Sequence, residues 1–423
     1  MKNQQEKRVA IIFNDSLLDT VPCLLSFIKL LVEKSINVDI FIVNNGLCRM
    51  PKDLASSLIN VYINNIKQAD NEKILGSYTL YRIQKLWNFY QYILSYINHK
   101  EYLYTVGVEQ DGLIISWLIA IFKKIPFIYF SLELYLSLVA NKTIHGRLLK
   151  GSQSSSLEHQ KYQLAHKTIH GRLFKVLEKK ANNKALLTII QDPSRAKLLA
   201  EDNQINLDNI YSLPNSPLGQ AKYNKQYFLQ EKFKIGKEKI IILNAGTLAD
   251  WSYTKEISTV ATQLPDKYLT FFQSRFFVKD NDNYIKGIRD MVNPEKVIFS
   301  LTPFPYKDID NIYRSADIGL AFYNTKLLGT NCQEIGLSSG KIAHYLFTGI
   351  PVIVNKETSL AQLVNEYECG IVIDEFKELE CACKKIMDKY QFYSDNACNC
   401  FNKLLAVEPH FQKIYHKLFI TNS

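Results

Sequence analysis

The chain has 423 residues, 47% of them apolar and 12% aromatic, with a formal net charge of +10. That length exceeds one ordinary hydrophobic core and fits two domains, and the apolar content excludes a largely disordered or low-complexity protein. The basic balance favours an acidic counterpart such as an anionic lipid surface or a phosphorylated ligand. Lys and Arg are scattered and match no nucleic-acid-binding pattern, so no nucleic-acid partner is expected.

The N-terminal residues, MKNQQEKR, run into a strand at Arg8–Phe13 with no apolar leader, and the uncharged apolar run from Gly112 to Phe122 falls well short of the ~20 residues of a spanning helix. The expected location is cytoplasmic, with peripheral contact at the inner face of the cell membrane left open. Eight cysteines in such a chain point to reduced thiols. Cys381 with Cys383, and Cys398 with Cys400, are one residue apart, so on helices they face different sides and no metal site is expected.

Arg8–Phe13 is uniformly apolar, as a strand buried on both faces would be, and leads through Asn14–Asp15–Ser16 to a helix over Val21–Lys34 and a strand over Asn37–Val43. This βαβ opening predicts a doubly wound domain, and its first turn lacks the Gly-rich dinucleotide fingerprint. Tyr78–Ile97 reads as an aromatic helix with Arg82 and Lys85, suited to a core or, less commonly, to a membrane interface. A strand at Leu103–Val106, a turn at Gly107–Gly112, a helix over Leu113–Phe122 and a strand at Pro126–Ser131 follow. Asp111 and Glu133 then fall just past the ends of parallel strands, where such folds place ligands.

KTIHGRLLK at 142–150 is nearly repeated as KTIHGRLFK at 167–175, across a polar stretch. Two copies are too few for a solenoid, and an inserted surface duplication at about 141–175 is the simplest account. A helix through Leu177 and Glu178, a strand at Leu186–Ile190 and a helix begun by Asp192–Pro193 lead to Tyr211–Pro217, which has two prolines. The first domain is therefore expected to span 1–217, with a polar linker over 218–236.

The second domain, 237–390, alternates strands at Lys239–Asn244, Tyr268–Gln273, Val297–Leu301, Ile318–Phe322, Pro351–Val354 and Gly370–Ile373 with helices at about Lys255–Gln263, Asn281–Met291, Tyr306–Arg314 and Lys341–Phe347. Helices over 391–423 are expected to pack back toward the first domain. Within the second domain, GLSSGKIAHYLFTGIPVIV at 336–354 joins a small hydroxyl-rich turn, Lys341, an apolar helix and a strand. A helix N-terminus with free N–H groups, a glycine and one lysine suit a phosphate, although an ordinary capped helix has the same pattern.

NAGTLADW (244–251), ADIGLAFY (316–323) and the 336–354 stretch, with IYFSLELY (128–135) and VLEKKANNKALLTIIQDPSRAKLL (176–199), resemble the GT-B glycosyltransferases, in particular the bacterial family-four-like (group 1) sugar transferases. The resemblance covers most of the chain. It implies an α/β fold of two Rossmann-like domains with parallel sheets facing a central cleft. It also implies transfer of a hexose from a nucleotide-sugar donor, a UDP- or GDP-sugar, to a glycan or lipid-linked acceptor of cell-surface polysaccharide synthesis, with no metal required and no tightly bound cofactor.

By the same resemblance Arg275 and Lys341 clamp the donor phosphates beside Gly246 and Thr247, Ser338 and Ser339 present hydroxyls and amides, and Thr302 and Pro303 line the nucleobase pocket. Retaining members of the group carry two glutamates separated by seven residues, the second five before the glycine of the Gly349 turn. Here those positions are His344 and Gly336, so both glutamates are replaced. Glu334 is a nearby substitute for the first, and His344 is either a ribose ligand or a satisfied helix histidine. An inverting reaction needs a base, for which Asp111 and Glu133 are the candidates, whereas a retaining one leans on Arg275 and Lys341. A sugar-nucleotide epimerase, and a GT-B scaffold without activity, stand as alternatives.

Overall fold

The apolar strand at the start of the chain is the centre of the first of two sheets in the computed structural model, which describes residues 7–44, 54–65, 78–136 and 169–420. The described residues divide into two units, one formed by 7–136, 169–213 and 407–420 and the other by 214–406.

In unit 1 the strands are β1 (Arg8–Phe13), β2 (Asn37–Asn44), β3 (Ile59–Asn65), β4 (Tyr104–Val108), β5 (Phe127–Phe130), β6 (Thr188–Ile190) and β7 (Ile210–Ser212). They form one parallel sheet ordered β3-β2-β1-β4-β5-β6-β7. β1, β2 and β4 are buried on both faces because helices cover both sides, which is why they read as near-continuous apolar runs. β3 and β7 escaped the sequence reading. They are edge strands, half-exposed, β3 broken by Asn60, Asn64 and Asn65 and β7 only three residues long, so they carry no apolar run.

One carboxylate ties this sheet together. Asp39 on β2 is fully buried and accepts from Arg8 Nη1 (2.9 Å), Asn60 Nδ2 (2.7 Å), Lys100 Nζ (2.8 Å) and Tyr102 Oη (2.6 Å). Burial pushes its carboxyl up, but the hydrogen bonds from Lys100, Tyr102 and Asn60 and the Arg8 charge outweigh that and hold it below the usual range.

Unit 2 contains β8 (Ile240–Gly246), β9 (Tyr268–Ser274), β10 (Val297–Ser300), β11 (Ile318–Ala321), β12 (Val352–Asn355) and β13 (Gly370–Ile373), a parallel sheet ordered β10-β9-β8-β11-β12-β13. Two separate apolar clusters cover its faces. Tyr345, Leu346 and Val352 belong to one, and Ile242, Phe272 and Ile353 to the other.

Four expectations change. Gly107–Gly112 is not a turn: Gly107 and Val108 complete β4, and the helix Glu109–Lys123 starts at once. A side chain on Gly107 would collide with Gly112, and one on Gly112 with the Ile12 carbonyl, so these glycines permit close helix-to-strand contact. The second near-repeat is not a solvated insertion from Ile169 on, because it opens the helix Ile169–Asn182, where Phe174 and Lys175 are buried. The first copy lies outside the described residues.

The stretch 218–236 is not a bare linker either. It holds the helix Phe228–Phe233, buries Leu229, and seats Lys225 Nζ on the Ser315 and Ala316 carbonyls (both 3.1 Å) and on Asp317. Of the C-terminal helices, Tyr390–Cys400 belongs to unit 2 and Val407–Phe419 to unit 1. There Phe411 packs edge-on against Phe27 at 5.7 Å.

Candidate functional site

Parallel strands present their C-terminal ends, with exposed loop amides, as the ligand-binding edge of an open α/β sheet. In unit 2 that edge is built first by Tyr345. Its hydroxyl donates to the Leu243 carbonyl (2.6 Å) and accepts from the Ala245 N–H (3.1 Å), entering the sheet where β8 and β11 part after Gly319. Gly319 is required beneath the ring, since any side chain there would strike it. The tyrosine thereby fixes the helix Gly340–Phe347 over the end of β8.

One turn earlier, on the same face of that helix, stands Lys341. Its Nζ lies 3.5 Å from Asn244 Oδ1 and 5.0 Å from the centre of the Tyr323 ring. A Cβ added to Gly246 would meet Lys341 Cε at 3.3 Å, and Gly246 itself has φ +136°, a conformation open to glycine. Burial pulls the Lys341 ammonium down to about 8, with the Cys332 thiol acting in the opposite sense. Among the described residues no carboxylate pairs with it. A partly buried cation held by one amide oxygen and a ring face is placed to receive an anion.

The surroundings support this geometry. Ser339 caps the helix, its hydroxyl accepting from the Ile342 N–H (3.3 Å) and sharing a 2.7 Å hydrogen bond with Tyr323. Asn355 holds the Tyr323 backbone through both of its amide atoms, and Trp251 stacks on the Tyr323 ring at 6.3 Å and 15°. Burial raises the Tyr323 phenol, so it stays neutral. The helix begins with N–H groups that have no acceptor within it, which adds positive potential beside Lys341.

The other expected donor residues are distributed around this centre. Arg275 is exposed, follows β9, and donates its backbone N–H to the Gly246 carbonyl (2.8 Å). The Thr247 carbonyl accepts from Ser252 Oγ (2.7 Å), and the Ser338 carbonyl from Asn215 Nδ2 (3.1 Å). Thr302 is exposed, with its carbonyl tied to β9 by Gln273 Nε2 (3.1 Å), and Pro303 beside it is half-buried. Glu334 ends the helical turn Thr330–Gln333, and no ion pair joins it to Lys341 among the described residues. His344 is buried, its Nδ1 3.0 Å from the Gly340 carbonyl one turn back and its ring 4.9 Å from that of Tyr313. Burial lowers its basicity, so the geometry is that of a satisfied helix histidine.

In unit 1, Asp111 sits in the first turn of the helix Glu109–Lys123 and is ion-paired to Arg82, with Asn14 Nδ2 at 2.9 Å on its other oxygen. Glu133 follows β5, is part-exposed, and lies 3.3 Å from Arg195 Nη2, whose side chain is buried. The sequence reading missed Glu109. Its carboxylate accepts from the N–H groups of Leu132 and Glu133 and from the Tyr135 hydroxyl, and burial with the Glu133 charge pushes its carboxyl up to about 8. No motif marks it. Only the junction of β4 and β5 brings it to Glu133.

Among the described residues no group of His, Cys, Asp and Glu could hold a metal ion, and no helix is long and apolar enough to cross a membrane.

Comparison with known proteins matches residues 299–415 to the family described as Glucosyltransferase 3-like, C-terminal domain. No curated protein matches the chain by sequence. Solved structures share its fold over nearly its whole length. Sucrose-phosphate synthase of Thermosynechococcus elongatus superposes with a TM-score of 0.68 at 13% identity, covering 98% of this chain and 99% of the other. HepE of Anabaena in complex with UDP-glucose gives 0.64 at 13%, over 97% and 99%. WaaG, a glycosyltransferase involved in lipopolysaccharide biosynthesis, gives 0.61 at 13%, over 97% and 100%. The two parallel six- and seven-stranded sheets and these likenesses give the chain the GT-B fold.

Proposed function

We propose that the protein is a glycosyltransferase whose unit 2 holds a UDP- or GDP-sugar by its diphosphate, against Lys341 and the start of the helix Gly340–Phe347. The observation that carries this is the partly buried Lys341 ammonium over Gly246, with no carboxylate to neutralise it among the described residues. As the bond from the anomeric carbon to the phosphate breaks, its electron pair moves onto the diphosphate. Lys341, the helix N–H groups and Arg275 then stabilise that charge in place of a metal ion. Chelators are expected to leave transfer unaffected. Thr302 and Pro303 border the base, and Ser338 and Ser339 the sugar or phosphate.

In this reading the acceptor hydroxyl gives its proton to Glu133, while Asp111, neutralised by Arg82, shapes the acceptor pocket. The acceptor is a glycan or lipid-linked intermediate of surface polysaccharide synthesis and the sugar a hexose. This is supported by the net charge of +10 and by Leu80, Ile83 and Trp87, exposed at helical spacing on Tyr78–Ile97, which suit an anionic membrane surface.

The test is a thermal-shift screen of UDP, GDP and their common sugars, followed by transfer assays with the donor that binds. Donor-dependent stabilisation that Lys341→Ala removes supports the reading. No stabilisation by any donor would turn it to a scaffold, and conversion of the nucleotide sugar without acceptor would turn it to an epimerase.

A further inference from the structure

The loop after β5 carries Glu133 yet has no regular secondary structure, so something else must fix where its carboxylate stands. We propose that Glu109 is the positioning residue of the acceptor site, holding the backbone of Glu133 and so fixing where the Glu133 carboxylate stands. This rests on the glycosyl-transfer reading of that site.

The geometry begins with the backbone. Glu109 is not glycine, yet has φ +60°, a costly conformation kept where surrounding contacts over-determine it. That twist, where β4 meets its helix, accompanies a carboxylate that reaches the exit of β5. One oxygen accepts from the Leu132 N–H and from the Glu133 N–H at 3.0 Å, and the other from the Tyr135 hydroxyl. Three donors of one short loop thus converge on a single side chain. On its far side Glu133 meets Arg195, 2% exposed, at 3.3 Å, while its own side chain stays 39% exposed and open to a ligand. A reachable carboxylate is therefore set by a buried guanidinium on one side and by a half-buried carboxyl that holds its backbone on the other.

Burial, and then the Glu133 charge, raise the Glu109 carboxyl to about 8 against its three hydrogen bonds. The other groups facing it are Cys23 from the helix Pro22–Glu33 and Tyr129 of β5, both of which its charge pushes further toward their neutral forms, while Arg195 from the helix Pro193–Asn203 meets Glu133. Asp111, two residues along, is matched by Arg82. Ionisation of Glu109 strengthens its acceptance of the three loop donors and places a negative charge beside Glu133.

Two measurements on Glu109→Gln test this. The first needs no activity. A proton held in the folded state up to about pH 8, but lost near 4.5 when unfolded, makes wild-type stability fall as pH rises between those limits. The folding equilibrium of Glu109→Gln relative to wild type should gain up to about tenfold per pH unit from pH 5 to 8 and level off above. The second is kcat at saturating donor. It should rise through about pH 8 in wild type and be flat and about tenfold or more lower in Glu109→Gln, with the donor-induced thermal shift unchanged. Should Glu109→Gln fail to fold, Tyr135→Phe, which removes one donor to the carboxylate, should move the wild-type inflection to higher pH.

A flat stability ratio, or a kcat profile superimposable on wild type, overturns the proposal. Absence of donor binding and transfer in the wild type sinks the glycosyl-transfer reading instead, and the stability titration then still decides whether Glu109 holds the proton.

Discussion

Two side chains of opposite charge, one buried in unit 1 and one part-buried in unit 2, differ in how their surroundings compensate them. Asp39 in unit 1 is fully buried with four donors between 2.6 and 2.9 Å, two of them cationic. Lys341 in unit 2 has one amide oxygen at 3.5 Å and a ring at 5.0 Å. Desolvation opposes both charges, and only Asp39 is compensated within its own unit. A saturated buried charge holds strands together, whereas an unsaturated one keeps its capacity for a ligand. The Asp39 partners hold its carboxyl below the usual range, whereas burial draws the Lys341 ammonium toward neutrality.

The sharpest way to break this contrast is to remove each charge in turn. Asp39→Ala leaves Arg8 and Lys100 facing a void and should cost about 3–5 kcal/mol in denaturant unfolding, with the donor-induced thermal shift retained. Because the Asp39 carboxyl is depressed, its contribution is present above the ordinary carboxylate range and is lost as pH falls through its lowered value. A variant that unfolds like wild type would remove Asp39 from its structural role.

Lys341→Met should act in reverse. Donor affinity falls by about 2–3 kcal/mol in isothermal titration, the scale of a charged hydrogen bond, while the ligand-free protein gains about 1–2 kcal/mol of stability as a strained charge is lost. In wild type, donor affinity should decline as pH rises past about 8, when the ammonium loses its proton. Unchanged affinity, or a less stable ligand-free variant, would make Lys341 an ordinary packed residue.

Smaller effects separate position from charge. Tyr345→Phe strands the Ala245 N–H and should cost about 1–3 kcal/mol, weakening donor binding only in so far as the helix shifts. His344→Gln, which can keep the contact to Gly340, should change transfer less than about threefold and stability by about 1 kcal/mol or less. A hundredfold loss of transfer there would return His344 to the catalytic group.

Much of the fold was legible because burial on both faces leaves a continuous apolar signature. β1, β13 and the helix Tyr78–Ile97 fall where their residues predict. The misses have physical causes. Edge strands β3 and β7 bury too little to show a pattern, the glycines at 107 and 112 serve packing where a turn was expected, and Phe228 with Leu229 folds part of an apparent linker into a core. Around the candidate site, the strand end at Gly246, the Ser339 cap and the helix start at Lys341 were legible from local pattern. Tyr323, Tyr345 and Glu109 were not, since each acts across elements distant in sequence.

By itself, then, the sequence determined the alternation of parallel strands and helices, their division between two Rossmann-like halves and the capped start of the helix Gly340–Phe347, because hydrophobic period and capping are local properties. Only the tertiary structure decided which charges remain uncompensated. Arg82 reaches Asp111, four donors reach Asp39, and no carboxylate reaches Lys341 among the described residues. Partnership depends on distances between residues far apart in the chain, and folding alone sets those distances.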